Sequence, residues 1–139
     1  MSRVAAKRRE NARETRCRAS SGVRMNETPQ FIQGLFTFRG AGLGKPAPLE
    51  PAARHKVPFD KRAQLIYLRA GNPTGELVCL TLLRGKEPMR LFPVGAKSSL
   101  HVQLAIVEDI DPESELELCI QAPEGLQGSV LVDMGLMEI

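Results

Sequence analysis

The chain has no tryptophan, one tyrosine, two histidines and three cysteines among 139 residues. Each shortage narrows what the protein can do. With only five Phe beside Tyr67, there are few flat rings for bases or sugars to stack on, and the core must be built from Leu, Val and Ile. Cys17, Cys79 and Cys119 are odd in number and contain no C-x-x-C pair, so they make no disulfide framework, and a reducing cytoplasm is the expected compartment. The longest uncharged apolar run, Leu77–Leu83, falls far short of the roughly 20 residues that span a bilayer, so no membrane role is expected. The first residues lack the apolar region of a secretory signal. Residues 108–139 carry no basic residue at all.

What is present is ordinary for a globular chain: 42% hydrophobic residues, enough for a real core in a domain of this length. The net charge of +3 is unevenly spread. Residues 1–24 hold eight basic and two acidic residues, a net +6, whereas residues 25–139 hold eleven basic and fourteen acidic ones, a net −3. The alkaline pI of about 9.0 therefore describes the beginning of the chain, and a nucleic-acid partner is not expected beyond that arm. Residues 1–29 read as a basic, disordered arm with no face to bury, with Met25 as an alternative start of translation. Residues 30–139 read as one domain.

Gly and Pro punctuation divides this domain into about seven strands: 30–39, 63–70, 76–84, 88–94, 99–107, 115–122 and 129–139. Gly34 marks an expected bulge or close approach in the first. The stretch 76–107 reads as the centre of the sheet, and Arg84-Gly-Lys-Glu87 as a tight turn with Gly85 free to take positive φ. Leu116, Leu118, Ile120 and Ala122 alternate with polar neighbours, and Val130, Val132, Met134 and Leu136 share one parity, the period of two of a half-buried strand. Ser99–Val107 is ambiguous, because Leu100, Leu104 and Val107 also fit a helical stripe. Gly40-Ala-Gly-Leu-Gly-Lys45 invites a phosphate-loop reading, but Pro46, Pro48 and Pro51 deny it the helix that such a loop must enter. Residues 40–58 read instead as an extended connection. The expected fold is all-β, an antiparallel sandwich or barrel-like domain.

No constellation specifies a reaction. His55, His101, Cys79 and Cys119 are the metal-ligand candidates, but none has the local spacing of paired zinc ligands, and neither a metal nor a cofactor is expected. Regular alternation would put His101 with Gln103 and Cys119 with Glu117 on the polar sides of their strands. Ser98 and Ser99 lie near His101, yet adjacency along a strand is not triad geometry, and no catalytic residue is assigned. The acidic run from Glu108 to Glu117 lacks the ligand spacing of a calcium loop. Charge is segregated: residues 54–97 hold nine basic and three acidic residues, and residues 108–139 hold nine acidic ones. Strand pairing between the two blocks would neutralise both; opposed surface patches would suit protein contacts.

Arg69-Ala-Gly-Asn72, Glu76-Leu-Val78, Met89-Arg-Leu-Phe-Pro-Val-Gly-Ala-Lys97, His101-Val102, Val107-Glu-Asp109 and Ala122-Pro-Glu-Gly125 resemble a family of small bacterial proteins. Many of these carry genome labels naming a molybdopterin oxidoreductase or assimilatory nitrate reductase. Such enzymes are several times longer, and those with an iron–sulfur cluster need clustered Cys ligands. The resemblance, over about residues 30–139, therefore implies an accessory protein and transfers no functional residue. The leading expectation is a non-catalytic β-domain acting by protein contact or self-association. The alternatives are a sandwich that binds a sugar or small anion, with Arg69, Arg84, Arg90, Lys97 and His101 as contacts, and an enzyme using His101.

Overall fold

Residues 27–139 are described by a computed structural model; the basic residues 1–24, Cys17 and the Met25 start lie outside them. The described chain is all β. Its strands are β1 (Thr28–Arg39), β2 (Ala47–Lys56), β3 (Ala63–Asn72), β4 (Val78–Arg84), β5 (Glu87–Val94), β6 (Ser98–Gln103), β7 (Asp109–Ile110), β8 (Glu115–Gln121) and β9 (Gln127–Glu138). All pair antiparallel, in the order β5-β4-β8-β2-β1-β9-β3-β6, with β7 beside β3. One sheet is β1-β9-β3-β6 and the other β5-β4-β8-β2, joined at a corner where β1 and β2 share the single pair Thr37↔Glu50. No helix of the described residues is long and apolar enough to cross a membrane.

The period-two patterns built the core as alternation dictates. Leu116, Leu118, Ile120 and Ala122 are buried together with Val130, Val132, Met134 and Leu136. They meet Leu80 and Leu82 of β4 and Leu65 and Leu68 of β3 in one cluster between the sheets. Each such side chain stabilises the fold by about 1.5–3 kcal/mol relative to exposure. Asn72, buried like Thr81 and Glu138, is well satisfied: its amide donates to the Glu76, Val94 and Gly95 carbonyls, and its oxygen accepts from Thr74. It thereby fixes the turn after β3 against the turn after β5.

Several expectations need correction. Residues 40–58 are not merely a connection, because Ala47–Lys56 forms β2. Its ladder to β8 shifts register between Pro48 and Ala53, so Pro51 falls where the ladder is interrupted and no N–H is needed, while Ala47, Leu49 and Ala53 still point inward and are buried. The acidic turn contributes the two-residue β7. Gly34 is no bulge: β1 and β9 pair over twelve consecutive residues without a register shift. The stretch 76–107 is not the centre of the fold. It supplies both outer edges, β5 and β6, whereas β8 and β9 are flanked on both sides. Pro88 and Pro93 suit β5 to that edge position. The strand expected over 99–107 stops at Gln103, and the alternation places Leu100 and Val102 half-buried against the core, which excludes the helical reading of that segment.

The two charge blocks do pair. Arg54–Glu117, Arg62–Asp109 and Arg90–Glu108 are ion pairs between them. The pairs are exposed enough that each contributes at most about 1 kcal/mol, and Arg54–Glu117 joins register partners of β2 and β8.

Cys119 departs from the exposure its parity implies and is buried, as a free Cys inside a strand commonly is. It shares the outward face of β8 with Glu117. The loop between β1 and β2 folds over that face: Gly44 N–H donates to the Gln121 side chain, whose amide donates in turn to the buried Thr81 hydroxyl. Burial, and secondarily the Glu117 charge, push the Cys119 thiol up from 9.0 to about 11, against a smaller opposing effect of Arg54. The folded state thus favours the thiol; that contribution is intact below pH 9 and is lost as pH rises through about 11. Thiolate is the reactive form, so at pH 8 a maleimide should modify half-buried Cys79 well before Cys119, which should react only on denaturation. Mass-mapped labelling checks this, and equal labelling of the two in the native protein would contradict it.

Candidate functional site

The outward side chains of the β1-β9-β3-β6 sheet fall into transverse rows, because from Tyr67 to Gly71 of β3, beyond a register shift at Leu65–Tyr67, the pairing runs unbroken across all four strands. The pairs Gln33↔Asp133, Asp133↔Arg69 and Arg69↔His101 set one row. Phe31, Gly135, Tyr67 and Gln103 make the next, and Leu35, Leu131, Gly71 and Ser99 the one on the other side. At the usual strand spacing each row is roughly 14 Å across from first strand to last. Gly71 has no side chain between Leu131 and Ser99, and the surface dips there. The result is an open groove of about 610 Å³ lined by Leu35, Leu131, Gly71, Arg69, His101 and Asp133, among others.

Asp133 anchors the polar row. Its Oδ1 accepts from Gln33 Nε2 at 2.9 Å and from the Tyr67 hydroxyl at 2.8 Å. Those two bonds, Gln33's first, hold its carboxyl below the usual aspartate value, with the Arg69 charge adding to them and partial burial opposing. Tyr67 is shifted the other way, above 10.0, chiefly because its proton is shared with Asp133. Its ring lies across Gly135, where a Cβ would overlap it, and Arg69 sits above the ring with the guanidinium carbon 5.8 Å from its centroid. That is a cation–π contact. Arg54, Arg62 and Arg90 each have a carboxylate partner; Arg69 forms no ion pair of this kind among the described residues.

Asp133, with its lowered value, contributes stability above the ordinary aspartate range that is lost as pH falls through its folded value. Tyr67, with its raised value, contributes stability below pH 10 that is lost as pH rises through its own. Because Tyr67 is the only tyrosine and there is no tryptophan, tyrosinate absorbance reports this one group. It should titrate above 10 in the native protein and move down towards 10 in Asp133→Ala; an unchanged titration would mean that the Tyr67–Asp133 bond does not form.

Of the residues singled out in the sequence, Arg69 and His101 come together. Arg84, Arg90 and Lys97 do not join them. Arg84 ends β4 opposite Glu87, Arg90 is engaged with Glu108, and Lys97 occupies the turn after β5 at φ 50°, its N–H donating to the Thr74 carbonyl at 2.9 Å. His55 points inward from β2, with Nε2 2.8 Å from Oε1 of the buried Glu138, but the imidazole is not aligned to hydrogen-bond it. The described residues contain no group of three or more His, Cys, Asp or Glu suited to a metal ion. Ser99 and His101 project from the same face of one strand roughly 7 Å apart, beyond the reach a nucleophile and its base require. Sequence reasoning missed Gln33, Tyr67 and Asp133. The available signal was parity: Asp133 stands opposite in phase to the buried Val130, Val132 and Met134.

The chain matches no protein-family model and no curated protein. Among solved structures it is similar to the CBM36-1 domain of a multidomain xylanase from the hindgut metagenome of Trinervitermes trinervoides, at TM-score 0.52 and 16% identity, over 79% of this chain and 96% of that one. The likeness is one of fold. Lesser similarities are to an exo-beta-1,3-galactanase from Phanerochaete chrysosporium (TM-score 0.39, 11% identity, 81% of this chain) and to infectious bursal disease virus Gx strain (TM-score 0.41, 11% identity, 81% of this chain). The matches span 29% and 32% of those chains.

Proposed function

We propose that the protein is a non-catalytic saccharide-binding β-sandwich whose ligand lies on the outer face of the β1-β9-β3-β6 sheet. The observation that carries this reading is the row Gln33–Asp133–Arg69–His101, set between an aromatic row and a leucine-walled groove. A pyranose presents an apolar face and a rim of hydroxyls. The first matches the exposed Phe31 and Leu131; the second matches a row of acceptors and donors in which Asp133 is fixed by Gln33 and Tyr67 and Arg69 rests on the Tyr67 ring. A module from a xylanase with the same fold supports the reading. Calorimetric titration with a panel of soluble oligosaccharides tests it. At least one should bind, and Asp133→Ala should weaken that binding at least tenfold. A silent panel, or an Asp133→Ala protein that binds as well as the native one, would overturn it.

A second reading is favoured by the adjacent Leu35 and Leu131, which are 58% and 57% exposed, together with Phe31 at 55%. This apolar surface suits a protein partner, and the sequence resemblance supplies the partner class, a molybdopterin-type oxidoreductase to which the chain is accessory. Native pulldown should then recover that partner and Leu131→Glu should release it; no partner together with a monomeric protein would end this reading.

A further inference from the structure

Building on the saccharide reading, we infer that the ligand is an acidic saccharide, its carboxylate held by Arg69 and His101 while a neighbouring hydroxyl donates to Asp133. The charge arrangement of the face leads there. Three arginines elsewhere are matched to carboxylates, in Arg54–Glu117, Arg62–Asp109 and Arg90–Glu108. On this face Asp133 forms no ion pair with Arg69; its Oδ1 instead accepts from Gln33 of β1 and Tyr67 of β3. Arg69 is propped over the Tyr67 ring, which orients the guanidinium without using its hydrogen-bond donors. Its register partner is His101, and facing side chains of paired strands stand about 4.5–5.5 Å apart at Cβ. A single anionic group placed above the pair meets both.

The fork of an arginine matches a planar carboxylate through two parallel hydrogen bonds. Asp133, one strand further in, is acceptor-only and repels an anion. It fixes the ligand's direction, with the acidic group towards β6 and hydroxyls towards β9 and β1. The groove beside Arg54, Lys56 and Lys86, about 530 Å³, offers no such polarity, because Glu115 and Glu117 are interleaved with its cations and Glu117 is already paired with Arg54.

The test is calorimetric titration of the full chain with trigalacturonate, its methyl ester, galactotriose and a sulfated trisaccharide. Trigalacturonate should bind at least tenfold more tightly than its methyl ester, and Arg69→Ala, or the milder Arg69→Gln, should reduce that ratio below twofold, with circular dichroism confirming the fold. Equal binding of acid and ester overturns the inference while leaving the saccharide reading intact, as does a ratio that survives in both Arg69 variants. A tenfold preference for the sulfated sugar over trigalacturonate overturns the carboxylate assignment. If no sugar of either kind binds, the saccharide reading fails and the inference with it.

Discussion

Gly135→Ala is expected to remove saccharide binding while leaving the sandwich folded. Gly135 lies between Phe31 and Tyr67 in the aromatic row, and an added Cβ would overlap the Tyr67 ring at three of its carbons. The backbone there is not in the left-handed region, so alanine is tolerated by the strand itself, and the ring can swing outward about its own side-chain torsions. The stability cost is therefore modest, about 1–2 kcal/mol. The site suffers more. A displaced ring loses the 2.8 Å bond to Asp133 and the platform beneath Arg69, so three side chains of the face lose their orientation at once. Binding should fall at least tenfold, and the tyrosinate titration should move down towards 10 in the same variant. Native affinity in a Gly135→Ala protein would mean that Tyr67 takes no part in the site.

Gly40→Ala should have the largest effect on stability. Gly40 closes the corner between the sheets. Its N–H donates to the Leu126 carbonyl at 2.7 Å, its carbonyl accepts from Gly125 at 2.9 Å, and two residues on Gly42 donates to the Ala122 carbonyl at 2.8 Å. A Cβ at Gly40 would overlap the Pro123 carbonyl oxygen and lie 2.9 Å from that of Ala122. These are backbone atoms of the turn between β8 and β9 and cannot rotate aside. The entropic gain of about 0.4–1 kcal/mol from replacing a glycine is outweighed by overpacking of about 3 kcal/mol. The melting temperature should fall by roughly 10 °C; a change under two degrees would contradict the close approach. The glycine-rich segment that invites a phosphate-loop reading thus has a structural use, clasping the β8–β9 turn.

How much of this could be read from the sequence depended on whether the signal was local. Alternation is local, so the inward faces of β8 and β9 were legible, and so was the hairpin between β4 and β5, where Gly85 takes φ 65°. The pairing of a basic block with an acidic one was legible as a tendency and is realised in three ion pairs. What failed was local in form but decided by tertiary context. Pro48 and Pro51 argue against a helix and make residues 40–58 read as a connection, yet β2 carries both, with Pro51 inside a register shift. Cys119 had the parity of an exposed residue and was buried by a loop some seventy positions earlier in the chain. The site depended on register, which periodicity does not set. Arg69 and His101 were singled out as isolated polar residues, but only the alignment of β9 with both β1 and β3 brings Asp133 between Gln33 and Arg69.

Ligand is expected on the outer face of the β1-β9-β3-β6 sheet. Backbone amide chemical-shift mapping with the tightest-binding oligosaccharide tests it most directly. Shifts should cluster at Gln33, Tyr67, Arg69, Gly71, His101, Leu131 and Asp133 and spare Arg54, Thr81, Glu117 and Cys119 on the opposite sheet. Shifts centred on that opposite sheet, or on the turns at either end of the sandwich, would contradict it.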